Sequence, residues 1–151
     1  MRPIKFRAWD SGRKEMFDVF SIQFHTDVNG NPWRSVGELD TTNVNAIFEG
    51  RHKRQGTDYV LMQFTGLHDK SGKEIWEGDI VKLLGNPVFR SPDYIAQVIF
   101  DSEQARFSII LNGCQYAGDG SLLYTRLEEK EVIGNIYENP ELLRNGNGAQ
   151  N

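Results

Sequence analysis

The residues best suited to chemistry in this 151-residue chain fall into a few groups. Pro92-Asp93, followed by Glu128-Glu129-Lys130, has the residue types of a large nuclease class. There, two carboxylates hold a divalent metal and a lysine assists the attacking water. That fold surrounds its sheet with helices, and helical periodicity is nearly absent here. Asp93 also falls in a Ser-Pro-Asp loop, and Glu128 in a charged turn. A metal-dependent nuclease is therefore the weakest of three functional readings. His25, His52 and His68 are scattered, with no His-x-x-x-His or Glu-x-x-His spacing, so no metal is expected. Cys114 is the single cysteine, follows Asn112-Gly113 and has no base beside it; it reads as an inert small residue. No Gly-x-Ser-x-Gly elbow, phosphate-binding loop or dinucleotide fingerprint is present. The expectation is a non-enzymatic protein with no catalytic residues and no cofactor.

Binding chemistry has better candidates. Arg51-His52-Lys53-Arg54, between Gly50 and Gly56, is the only basic cluster. It is suited to gripping phosphates of a nucleic acid, and Arg2, Lys5, Arg7, Arg13 and Lys14 would extend it if the fold brought them close. Against this, its three formal positive charges are few beside the roughly 6–10 phosphate contacts of specific binders. A solvated loop joining two strands is the stronger explanation of the cluster. Trp9 and Trp33, with Phe64, Trp76 and Tyr137, are candidate stacking platforms. The competing explanation, aromatic packing, is stronger where Phe64 and Trp76 flank a stretch rich in turn residues.

The elements that must position these residues read as strands. Ile4, Phe6 and Ala8 alternate with Lys5, Arg7 and Trp9, and Phe20, Ile22 and Phe24 with Ser21, Gln23 and His25. Tyr94, Ala96, Val98 and Phe100 share one face, as do Ala105, Phe107, Ile109 and Leu111; Val132, Gly134 and Ile136 follow the same period. Asn29-Gly30, Asn112-Gly113, Asp119-Gly120 and Asp69-Lys70-Ser71-Gly72-Lys73 supply turns, with Gly72 in the left-handed position. Asp101-Ser102-Glu103-Gln104 reads as a hairpin link. Ser35 to Phe48 reads as loop with room for a short element. Asn139-Pro140-Glu141-Leu142-Leu143 has the capping Asn, first-turn Pro and acid of a short helix. Residues 145–151 read as a disordered tail.

Composition narrows the class. Hydrophobic residues are 38% and charged residues 25% of the chain, a globular balance. The net charge of −4 is uneven: residues 1–75 carry +1 and residues 76–151 carry −5. Any nucleic-acid contact therefore belongs to the first half. A lone cysteine, an N-terminus without an apolar run and no long apolar window lead to the expectation of a cytoplasmic protein in a bacterial host cell.

Three blocks carry a specific likeness. Ile4-Lys5-Phe6-Arg7-Ala8-Trp9-Asp10, the run Leu61-Met62-Gln63-Phe64-Thr65-Gly66-Leu67-His68 through Glu77-Gly78-Asp79-Ile80-Val81, and Val132-Ile133-Gly134-Asn135-Ile136-Tyr137-Glu138-Asn139-Pro140-Glu141-Leu142-Leu143 occur in that order. Together they resemble the YopX family of bacteriophage and prophage proteins. Trp76 stands where that family usually has Tyr, and His68 where Lys is common. The resemblance implies a phage or prophage gene and a β-rich fold with an SH3-like C-terminal part; it implies no catalytic residue. The expected architecture is mainly β: an N-terminal β-rich subdomain over 1–75 packed on an SH3-like small barrel over 76–144, with few short helical turns. The leading functional expectation is an accessory module that binds a host or phage protein, with self-association into a homo-oligomer. A nucleic-acid-binding module is the alternative.

Overall fold

The structure is a computed structural model and describes residues 3–38, 53–55, 59–84, 93–111 and 130–145. The protein is mainly β, with antiparallel strands and one short helix among these residues. It divides into two compact units, Ile4–Gln63 and Phe64–Asn151 with Met1–Pro3.

The first unit contains β1 (Phe6–Asp10), β2 (Glu15–Thr26), β3 (Pro32–Glu38), β4 (Lys53–Gln55) and the start of β5 (Tyr59–His68), in the order β4-β3-β2-β1-β5. Its core forms because register places small beside large. Ala8 lies opposite both Phe17 and Leu61, and Ile22 lies opposite Val36. Ala8, Phe17, Val36 and Tyr59 are buried, with Val19, Ile22 and Leu61 packed against them. The buried residues switch from odd to even numbers along β2. A register shift between Val19 and Ser21 is the reason: an inserted residue reverses which side chains face the core. The shift places Ile22 on the core face, yet the expected face of Phe20, Ile22 and Phe24 is only partly covered. Ile22 packs, while Phe20 and Phe24 are exposed. Likewise, Ser35–Glu38 belongs to β3 rather than to a loop.

The second unit continues β5 and adds β6 (Glu74–Trp76), β7 (Asp79–Leu83), β8 (Tyr94–Asp101), β9 (Arg106–Leu111), β10 (Lys130–Asn135) and α1 (Glu141–Asn145). Four of these strands run β10-β7-β8-β9, a three-strand meander with the last strand returning beside the first. That order is compatible with an SH3-like barrel; among the described residues, β9 and β10 do not pair. Ile75, Val81, Ala96, Val98, Phe107, Ile109 and Val132 form the core. Ala105 lies in the β8–β9 turn at φ 51° rather than in β9; the Asp101 carboxylate there accepts N–H bonds from Glu103 and Gln104.

The polar residues of the likeness blocks tie this unit together. Asp69 Oδ1 accepts from Ser71 N (2.8 Å), Ser71 Oγ (2.7 Å) and Lys73 N (3.0 Å). Its Oδ2 accepts from Val132 N at 3.0 Å. Lys70 N donates to the Lys130 carbonyl, also at 3.0 Å. The β5–β6 turn thus occupies backbone groups of β10, the end strand of its sheet. Gly78 turns the chain at φ 80°, which a side chain would resist; its N–H donates to Val98 O and its carbonyl accepts from Ile136 N. Asp79, nearly fully buried, holds the same turn by accepting from Trp76 N at 2.8 Å. Asn135 Oδ1 accepts from Tyr137 N and Glu138 N, and its side-chain amide donates to Glu138. The Phe64 ring meets both His68, edge-on at 5.6 Å, and Trp76 at 5.4 Å. The two positions that depart from the usual family residues therefore touch the same buried phenylalanine.

Candidate interaction surface

Among the sequence-selected binding residues, the structure places Trp9 and Trp33 apart. Trp9 lies on β1 opposite Met16 of β2, whereas Trp33 lies on β3 opposite His25, at the far end of β2. Nine residues along a strand amount to about 30 Å, too far for one stacking platform. Arg51 and His52 lie outside the described residues. Lys53 and Arg54 belong to β4, not to a loop, opposite Gly37 and Val36 of β3. Charged residues on a short edge strand are a common device against unwanted pairing.

Of the nuclease constellation, the structure describes Lys130 and Asp93. Lys130 is completely buried, and Asp93 is held by Lys82 Nζ at 2.8 Å. The hydrogen bond that Lys82 donates to Asp93, followed by the charge of that carboxylate, raises the Lys82 pKa. Glu128 and Glu129 lie outside the described residues, as do Cys114 and residues 146–151 of the expected tail, whose first residue, Asn145, instead ends α1. Among the described residues, no cluster of His, Cys, Asp or Glu is arranged to hold a metal, and no helix is long and apolar enough to cross a membrane.

A surface that sequence reasoning missed lies on β2. Its first part, Glu15–Val19, pairs with β1, and its later part pairs with β3. From Phe20 to Thr26, no described strand pairs on the other side of β2. Phe20 is 68% and Phe24 83% exposed along this segment, and Val28 at the hairpin tip is fully exposed. The segment Val19–Thr26 contains no Asp, Glu, Lys or Arg.

The hairpin turn fixes this geometry. Asp27 Oδ1 accepts from Asn29 N and Asn31 N, both at 2.8 Å, and Oδ2 accepts from the Asn31 amide at 3.0 Å. The Asn31 side chain, then its backbone N–H, lowers the Asp27 pKa despite slight desolvation. The backbone closes as Asp27 N donates to Asn31 O and Gly30 N to Asp27 O. A turn pinned by so many bonds sets the register of β2 on β3. Among the described residues, it holds a backbone edge to which no strand pairs, flanked by exposed aromatic rings. Chemically, such an edge can accept a further strand.

Comparison with known proteins agrees with the motif blocks. The chain is similar to protein EF1440 from Enterococcus faecalis, whose crystal structure it matches with 30% identity and a TM-score of 0.54, over 95% of this chain and 99% of that one. It is also similar to the yopX protein from Bacillus subtilis, at 20% identity and a TM-score of 0.47, over 94% of this chain and 98% of that one. No curated protein matches. The YopX protein family model covers residues 5–144, and the chain belongs to that family.

Proposed function

We propose that this chain is a non-enzymatic accessory protein of phage or prophage origin, acting in the bacterial cytoplasm by binding another protein through the outer edge of β2. One observation carries this reading: an uncharged strand segment to which no described strand pairs on one side, with Phe20 and Phe24 exposed. Large exposed aromatics are costly on a surface with no partner, and unpaired strand edges are normally blunted by charge. β4 carries such charges in Lys53 and Arg54; β2 has none over Val19–Thr26. Meanwhile Asp69, Asp79 and Asn135, the polar groups of the likeness blocks, are engaged in bonds that hold turns. Their chemistry is structural.

The test is affinity capture of the tagged chain from infected or induced cells, with and without nuclease. A stoichiometric protein partner is expected to survive nuclease and to be lost with Phe20→Ser combined with Phe24→Ser. Partners that disappear on nuclease treatment would instead support nucleic-acid binding.

A further inference from the structure

We infer that the strand completing the β2 edge comes from a second copy of this chain, pairing Phe20–Thr26 antiparallel with itself across a two-fold axis. This rests on the reading of that edge as an interaction surface and names its partner.

The first argument is register. A two-fold axis requires the same segment on both sides to be self-complementary. Antiparallel pairing centred on Gln23 places Phe20 opposite Thr26, Ser21 opposite His25 and Ile22 opposite Phe24. An aromatic ring then meets a β-branched residue at four of the cross-strand positions, the kind of pair that stabilises a sheet. The second argument is charge. The whole chain carries −4, so two copies repel. Repulsion is least where no formal charge is present, and Val19–Thr26 is such a stretch. The third argument is size. Phe20 and Phe24 of two copies offer roughly 600–1,000 Å² of aromatic surface, beside a backbone ladder about 23 Å long. Together they approach, without exceeding, the lower limit of specific interfaces, around 1,200 Å². The dimer should therefore be concentration-dependent rather than permanent.

Sedimentation equilibrium on the full chain, from micromolar to several hundred micromolar, tests this. The expected result is a 17.3-kDa species when dilute and twice that mass when concentrated. Gln23 is exposed, so Gln23→Lys should fold normally, yet it opposes two ammonium groups at the axis. It should weaken the dimer at least about tenfold, equivalent to about 1.4 kcal/mol, while Gln23→Ser leaves it intact. A wild-type chain that stays monomeric throughout, or a dimer indifferent to Gln23→Lys, overturns the inference. If the chain is monomeric but Gln23→Lys abolishes capture of a cellular protein, the second-copy inference fails and the interaction reading stands. If it is monomeric and capture is unchanged, both fail.

Discussion

The carboxylate of Asp69 accepts a hydrogen bond at 3.0 Å from the backbone N–H of Val132, a residue 63 positions later. The other oxygen of the same group organises its own turn through Ser71 and Lys73. One side chain therefore closes a hairpin turn and docks it on β10. Hydrogen bonds to a charged acceptor contribute about 1.5–3 kcal/mol. Asp69→Asn removes the charge and points an amide donor at groups that already donate. A loss of about 2–3 kcal/mol in urea unfolding is expected; unchanged stability would mean that the docking contributes nothing.

The same residue predicts an acid limb. Burial alone would raise the Asp69 pKa, but the N–H of Val132, the Ser71 hydroxyl and the N–H groups of Lys73 and Ser71 outweigh it, bringing the pKa from 3.8 to about 2. A carboxylate with a lower pKa folded than unfolded stabilises the fold above its unfolded value. Its contribution is thus complete above 3.8 and fades as pH falls through about 2. Stability curves of wild type and Asp69→Asn should run parallel at neutral pH and converge below 3.8. A gap of constant size down to the acid end would contradict this assignment.

Gly134 predicts a steric effect. A Cβ there would lie 2.6 Å from Asn139 Oδ1 and 2.9 Å from Leu142 Cδ1. Gly134→Ala makes the Asn139 and Leu142 side chains give way, at a cost of about 1–3 kcal/mol. Adding Asn139→Ala removes the nearest atom, so the double variant should lose less than the two single losses combined. Strict additivity in thermal unfolding would show that the close approach is not the cause. Gly72→Ala is the contrast. Its Cβ would meet open space, and its φ of +88° supplies the whole penalty, about 1–2 kcal/mol.

These two glycines show what a sequence makes legible. Gly72 sits in a polar turn whose composition announces a left-handed residue, and the structure places it there. Gly134 sits in an alternating run, where nothing local says that Asn139 and Leu142 press against it. The strands were legible for the same reason as Gly72: period-two alternation is local. The Val19–Ser21 register shift is not, because a bulge is defined by what lies opposite. Missing it hid the switch that turns Ile22 to the core, while the exposure of Phe20 and Phe24 depends on what packs over the strand rather than on alternation. The Asp69–Val132 bond was equally hidden, although both residues stood in recognised blocks. The likeness gave the order of the blocks, not which atoms meet.

The basic segment provides the final discriminating prediction. Arg51, Lys53 and Arg54 bring three formal charges. If they were a phosphate grip, affinity for duplex DNA would fall with salt at a logarithmic slope of at most about −3. The triple variant Arg51→Ala, Lys53→Ala, Arg54→Ala would then abolish most of that slope. If Lys53 and Arg54 instead guard the β4 edge, the outcome differs. DNA binding is expected to be weak and equally salt-sensitive in wild type and variant, while the variant gains a tendency to aggregate, because a short edge strand has lost its charge. Fluorescence anisotropy with a labelled duplex across a salt series, together with light scattering of the same samples, separates the two. A wild-type slope near −3 that collapses in the variant would move the functional site from β2 to β4.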